Sequence, residues 1–363
     1  MDPQTSKALN SVDTSTLHVA VVQPDFDDGI GVLISEALAG QGCEVINLRY
    51  EDRLPQTLDV VLVYGPYGSL VPMANQLLTC PPSERPLFVL WMTEQFPNPI
   101  LPEWIRYPTS LFRSWIERAA FREKSPGEWR ADPHLRWFTS KAYRFRYYGD
   151  LYWLQRQGIL SILIDSSPWT VDFLRAKGFH SIQVSMGAHP DWGADLGLER
   201  DIPVLWIGKM GSRRRHRLLN RIRAELRERN IELMVVDGVE HPYVFGEERT
   251  VLLNRTKIVL NLLREKWDNN SMRYCLAAPN RALVVTEPTL PHSRFLPGVH
   301  LIEAPLEQMT ATICHYLSHE EERQRIVDQA YQLVTKEFTM REGMARILEQ
   351  VILLRQNTMF TKV

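Results

Sequence analysis

Apolar and polar positions along this chain alternate between two patterns, and the patterns recur in order. LHVAVVQ (17–23) is a nearly unbroken apolar run, the pattern of a strand buried on both faces. VLISEALAGQG (32–42) then takes helical spacing and ends in glycines. CEVINL (43–48) and DVVLVYGP (59–66) predict further strands, GSLVPMANQLL (68–78) a helix, and PLFVLWMTEQ (86–95) another strand. Strand and helix in alternation imply a parallel sheet covered by helices on both faces.

The pattern breaks over residues 96–158, where aromatic residues and arginines crowd together; this predicts a long helical insertion. SILIDSS (161–167), a helix to about Lys177 and SIQVSM (181–186) resume the alternation. GAHPDWGADLGLERD (187–201) has turn residues and no periodicity, as an interdomain linker does. The second half repeats the scheme: strand and loop in IPVLWIGKMGS, a basic amphipathic helix in RRRHRLLNRIRAELRERN, then strands in IELMVVDG, KIVLNLL, ALVVTEP and VHLIEA. Helices are expected over about 305–317, 320–336 and 340–356. The expected fold class is α/β, with two doubly wound Rossmann-like domains facing across a cleft. The expected boundaries are a loose tail (1–15), a first domain (16–190) carrying the insertion 96–158, a second domain (191–340), and a final helix (341–363) packing back across both.

Composition narrows the function. A length of 363 residues favours two domains. The formal net charge of -1 argues against a nucleic-acid partner. Cys43, Cys80, Cys275 and Cys314 form no CxxC pair, so zinc is not indicated. Cys43 and Cys275 lie among apolar neighbours and read as buried free thiols, which fits a reducing cytoplasm. The polar start of the chain has no apolar signal core, and no run spans a membrane.

Four stretches carry a resemblance. They are SIQVSMGAHP; VLWIGKMGSRRRHRLL; TKIVLNLLREKWDNNSMRYCLAAPNRALVVTE; and HSRFLPGVHLIEAPLEQMTATICHYLSHEEERQRIVDQAYQLVTKEFT. In this order and spacing, over about 181–350, they resemble the group 1 superfamily of GT-B glycosyltransferases, in its spore-maturation-like branch. The resemblance implies that Lys209, Arg213, Arg214 and Arg215 face a donor pyrophosphate, with Lys209 and Arg213 preferred. It also implies a donor-phosphate helix start at Asn269, Asn270 and Ser271. Arg273, on that helix's first turns, would reach the phosphate or pair with an acid. Retaining relatives carry two acids eight positions apart; Asp268 matches the one near the transferred sugar, whereas Leu276 stands where the ribose acid belongs. Glu287 is the nearest acid to replace it, and Arg281 stands where the family usually has glycine.

Other candidates follow from placement. In PDFDDGIGV, Gly29 and Gly31 would let backbone approach an acceptor, and Asp25, Asp27 and Asp28 would accept its hydrogen bonds; a plain polar loop is the competing reading. Glu94, just past a strand, is a candidate base for an acceptor hydroxyl, or a carboxylate capping a neighbour. His189 leaves the first domain as an acceptor contact or a structural linker residue. The stretch 137–156 packs helices, stacks acceptor sugars, or, least favoured, rests on a membrane. The resulting expectation is metal-independent glycosyl transfer. A nucleotide sugar is the co-substrate, no cofactor is needed, and a hydroxyl of a sugar, metabolite or surface polymer is the acceptor. The alternative is a non-catalytic relative acting as a binding or scaffold subunit.

Overall fold

The computed structural model describes residues 17–24, 29–125, 128–265, 272–289 and 294–360. The chain separates into two compact units. The first takes residues up to Ser166, Thr170–Val184 and Met344 onward; the second takes Ser167–Trp169 and Ser185–Gly343.

Unit 1 opens with β1 (His18–Val22), α1 (Ile30–Ala39), β2 (Glu44–Leu48), β3 (Val60–Gly65), α2 (Val71–Thr79) and β4 (Leu87–Met92). The insertion follows: α3 (Glu103–Ala120), β5 (Phe121–Ser125), β6 (Glu128–Ala131), α4 (Pro133–Ser140) and α5 (Tyr143–Arg156). Then come β7 (Leu160–Asp165), α6 (Pro168–Ala176) and β8 (Ser181–Gln183). The six-stranded sheet has the order β2-β1-β3-β4-β7-β8, with every pairing parallel. All of β3 is buried, which explains its unbroken apolar run, whereas the edge strand β2 leaves Glu44 and Asn47 exposed. Asp59 binds three parts of this unit: its Oδ2 accepts from the His18 amide at 2.8 Å, its backbone pairs with His18 and Leu87, and its Oδ1 lies 2.6 Å from Arg355 Nη1.

The insertion is not wholly helical. β5 and β6 form an antiparallel hairpin, from FREKS and EWRA, whose charges hide the strand pattern. α3 and α5 approach so closely that a Cβ on Gly149 would come 2.0 Å from Ser110 O and 2.8 Å from Ser114 Cβ. Charges fill the rest of this contact. Glu117 Oε1 accepts from Arg146 Nη1 at 2.9 Å, and its Oε2 accepts from Thr139 Oγ1 at 2.6 Å. Ser114 Oγ donates to Asp150 Oδ1 at 2.6 Å, and Arg118 Nη1 donates to Ser114 Oγ at 2.6 Å. Burial pushes the Asp150 carboxyl up to about 7, against the opposing pull of Arg146 and the Ser114 hydrogen bond.

Unit 2 contains β9 (Ile202–Ile207), α7 (Arg213–Arg227), β10 (Leu233–Val236), α8 (Gly246–Asn254), β11 (Thr256–Asn261), α9 (Met272–Ala277), β12 (Leu283–Thr286), β13 (Ile302–Glu303), α10 (Met309–Ser318) and α11 (Glu320–Gln332). α12 (Met340–Phe360) starts in unit 2 and continues into unit 1. The sheet order is β10-β9-β11-β12-β13, again parallel throughout. Val204, Trp206, Ile258, Leu260, Leu283 and Val285 form the strand side of its core. The stretch expected to be a linker is bound to this unit. Asn280 Nδ2 donates to Trp192 O at 2.9 Å, Asn254 Nδ2 donates to Ala194 O at 2.8 Å, and Arg200 Nη1 donates to Thr256 O at 2.6 Å.

Two outcomes test the α3–α5 contact. Gly149→Ala places a methyl against a backbone carbonyl that cannot rotate away; denaturant unfolding should show a loss of about 2 kcal/mol or more. A loss under about 0.5 kcal/mol would refute the close approach. The second concerns pH. Asp150 binds its proton more tightly folded than unfolded, so its contribution is most favourable below about pH 4 and declines as pH rises toward about 7, by at most about 1.4 kcal/mol per pH unit. Arg146, Arg118, Glu117 and Ser114 are the groups acting on it. Melting temperatures of Asp150→Asn measured across that window should show a flatter pH slope than those of the unmodified chain.

Candidate functional site

In open parallel sheets, ligands bind beyond the carboxyl ends of the strands, where the strand order reverses. In unit 2 that point lies between β9 and β11. The loop after β9, Gly208–Ser212, turns there. Gly208 and Gly211 have φ of +125° and +67°, which side chains beyond glycine rarely adopt. Ser212 then caps α7, its Oγ accepting from the Arg215 amide at 3.2 Å, and the same Oγ donates to Arg264 O at 3.1 Å in the loop after β11.

The basic run divides by function. Lys209 and Arg213 are exposed, and neither side chain has a hydrogen bond or ion pair among the described residues. An open hollow of about 700 Å³ lies beside them, lined by Met210, Gly211, Ser212, Arg213, His216 and Arg217. Arg214 turns inward: its Nη1 donates to Leu263 O and to Glu287 Oε1, both at 2.9 Å, and its Nη2 donates to Glu287 Oε2. Glu287 Oε1 also accepts from the Leu263 amide at 2.7 Å. The Glu287 hydrogen bonds raise the Arg214 pKa and hold its guanidinium charged. Arg215 is buried, with Nε donating to Leu262 O at 3.0 Å and Nη1 to Lys209 O at 2.9 Å.

Several expected site residues have structural partners instead. Arg273 does not face solvent; its Nε donates to Ile207 O and its Nη1 to Asn261 Oδ1, both at 2.8 Å. Arg215 and Arg273 both lie over the buried Trp206 ring, at 5.9 and 5.2 Å. Arg273 is thus a clamp on the ends of β9 and β11 rather than a phosphate ligand. Glu287 is the anchor of Arg214, not a carboxylate turned toward a ribose. Arg281 sits at φ 55°, the conformation that favours the family's glycine. Its side chain offsets that strain: Nε lies 2.6 Å from Asp195 Oδ2, Nη1 pairs with Asp328, and the guanidinium covers Tyr331 at 4.2 Å. His189 caps a short turn, its Nδ1 accepting from the Asp191 amide at 3.2 Å. In unit 1, the open backbone expected at Gly31 is filled by Gln23, whose Oε1 would lie 1.8 Å from a Cβ there. Gly29 is the N-cap of α1.

Glu94 is half-buried just past β4. Its charge is among the influences that raise the Tyr64 and Tyr147 hydroxyls, behind burial in both cases. Nearby, Thr93 Oγ1 donates to Tyr67 OH at 2.8 Å, and Tyr50 OH donates to Tyr64 O at 3.0 Å across the turn after β3. Asp25, Asp27, Asp28, Asp268, Asn269, Asn270 and Ser271 lie outside the described residues. Cys43 and Cys275 are buried free thiols, as expected, with burial pushing them up to about 11 and about 12. They stay protonated and non-nucleophilic at neutral pH. The Arg214–Glu287 pair escaped sequence reasoning because 73 positions separate its members.

Comparisons now bear on this geometry. Residues 213–349, from the start of α7 into α12, match the family described as glycosyl transferase-like. The fold resembles sucrose-phosphate synthase from Thermosynechococcus elongatus, with a TM-score of 0.55 at 13% identity, covering 96% of this chain and 100% of that one. It also resembles Anabaena HepE, solved with UDP and glucose, with a TM-score of 0.54 at 10% identity, covering 92% and 99%. TarM gives a TM-score of 0.52 at 8% identity over 80% of this chain; this chain spans about half of TarM (54%) and of the pneumococcal O-GlcNAc transferase GtfA (56%). A comparison with curated proteins finds no match. Residues 213–349 thus form a glycosyl transferase-like segment in a chain of GT-B fold.

The Arg214–Glu287 pair holds the two strand-end loops together. Glu287→Ala leaves a part-buried guanidinium and a buried Leu263 amide without their acceptor, and should cost about 3 kcal/mol in urea unfolding. Ser212→Ala, which removes the cap and the hydrogen bond to Arg264 O, should cost less, about 1–2 kcal/mol. Equal and negligible losses would show that the pair is ornamental.

Proposed function

We propose that this chain transfers a glycosyl group from a nucleotide-sugar donor to a hydroxyl acceptor. The observation that carries the reading is the switch point of unit 2. There, Arg213 and the capped start of α7 line an open hollow, with exposed Lys209 in the loop just before it, at the head of the segment matching the glycosyl transferase-like family. Cleaving the bond to a nucleoside diphosphate builds negative charge on the leaving oxygen. Fixed cations and a helix start, worth about half a positive charge, stabilise that charge. Arg214, Arg215 and Arg273 spend their charge on Glu287 and strand-end carbonyls and so keep the loop in shape. Lys209 and Arg213 are left for the diphosphate. Asn269, Asn270 and Ser271 would complete the phosphate contacts, and Asp268 would lie near the transferred sugar. Glu94 is proposed as the base that takes the acceptor's proton.

The donor class is a nucleoside diphosphate sugar, and UDP is the first nucleotide to test because HepE and GtfA were solved with it. Leu276 supplies no carboxylate for the ribose, and Glu287 is committed to Arg214, so binding is expected to be weak. The chemistry proposed requires no metal ion, and the free cysteines fit a reducing cytoplasm.

Calorimetry with UDP, GDP, ADP and TDP tests the donor site. One of them should bind, chelator should leave binding unchanged, and changing Lys209 and Arg213 together to alanine should weaken it by roughly tenfold to a hundredfold. Leu276→Glu should tighten it. If neither the unmodified chain nor Leu276→Glu binds any nucleotide, the reading fails.

A further inference from the structure

α3 is amphipathic, yet its sides are exchanged. The face it buries carries Arg106, Ser110, Ser114 and Glu117, closed against Gly149, Arg146 and Asp150 of α5. The face it turns to solvent is Trp104, Pro108, Phe112, Trp115 and Ala119, with no charge or hydroxyl among them. Trp104, Phe112 and Trp115 are 77%, 53% and 57% exposed. α4 extends the surface with Trp137, 65% exposed, and Phe138, whose ring lies under Arg113 at 3.9 Å. Ile100, just before α3, is 83% exposed. Scattered exposed apolar side chains need no explanation, but a contiguous aromatic stripe along a helix does.

Charge indicates what covers it. Residues 100–146 hold ten arginines and lysines against five acidic residues, in a chain whose net charge is -1. Arg122, Lys124, Arg130 and Lys141 are exposed on the hairpin and just after α4, with Glu123, Glu128 and Asp132 exposed among them; Lys141 Nζ sits 5.4 Å from the Trp137 ring and Arg113 covers Phe138. Tryptophan favours the bilayer interface, where one part of its ring system is apolar and another is wet, and neighbouring basic residues are drawn to anionic headgroups. Among the described residues, no helix is long and apolar enough to cross a membrane, so such contact lies along the surface.

We infer that the outward face of α3, with Trp137 and Phe138 of α4, is a docking surface for an anionic lipid bilayer. It stands apart from the nucleotide reading, since every residue in it belongs to unit 1 and none to the strand-end loops of unit 2.

Co-sedimentation of the full chain with phosphatidylcholine vesicles, with and without phosphatidylglycerol, tests this. Binding should require the anionic lipid, and raising salt from about 0.05 to 0.5 M should weaken it. The triple variant Trp104→Ala, Phe112→Ala, Trp115→Ala should partition at least about tenfold less. Because these side chains are solvent-exposed, the variant should keep its melting temperature. Lys141→Glu should weaken binding to anionic vesicles without creating binding to neutral ones. Absence of sedimentation with anionic vesicles overturns the inference, as does a triple variant that binds like the unmodified chain. A concentration-dependent dimer abolished by the same three substitutions, with no vesicle binding, would assign the face to a second copy and equally overturn it.

Discussion

Both principal sheets are parallel, and much else follows from that constraint. Parallel strands need helical crossovers, so both faces are covered and the strands must be apolar along their length. Every strand then ends on the same edge, and the polar groups that the core excludes collect there. In unit 2 that edge holds Ile207 O, Asn261, Leu262 O and Glu287, and three arginines, Arg273, Arg215 and Arg214, satisfy them. Buried carbonyls and a buried carboxylate oblige those arginines to turn inward. Lys209 and Arg213 stay exposed, and the proposed donor site draws on them. The site is thus a division of labour within one basic run, forced by the hydrogen-bonding needs of the strand ends.

In the insertion of unit 1 the usual arrangement is reversed. α3 places the small residues Ser110 and Ser114 where α5 comes nearest, at Gly149, and buries Glu117 further along the contact. Arg146 bridges Glu117 and Asp150 from α5, at 2.9 and 3.9 Å. A carboxylate and a guanidinium taken out of water require such partners. Trp104, Phe112 and Trp115 lie on the exposed face of α3, whereas Tyr107 packs edge-on against Tyr152 of α5 at 4.9 Å.

Legibility in the sequence followed burial. The strands buried on both faces, such as VVLVYG and LVVT, stand out as unbroken apolar runs, and their order suffices to reveal two doubly wound units. FREKS and EWRA hide their hairpin because a small exposed ribbon needs no apolar face. Site residues were less legible, since what decides their role is a partner far away in sequence. Nothing around Glu287 announces Arg214, and nothing around Gly31 announces that Gln23 fills the space above it. Arg281 was conspicuous as a departure from glycine; the structure gives it left-handed backbone and two aspartate partners. Lys209 and Arg213 were singled out from a local pattern, a loop with glycines before a helix start, and the structure leaves both exposed there.

The path of α12 bears on how the molecule is made. Unit 1 begins with β1 and is completed by residues from Met344 onward, with Arg355 reaching Asp59 beside the start of β1. On a ribosome adding residues from the amino end, the first sheet emerges before unit 2, and the helix that finishes its unit is synthesised after unit 2. The second unit, contiguous apart from Ser167–Trp169, has all its strands available earlier. Long-range closure of this kind is slow and leaves apolar surface waiting for its cover. During synthesis, Met344, Ile347, Leu348 and Val351, all buried in the finished chain, are missing from a nascent first unit that already displays the aromatic stripe of α3.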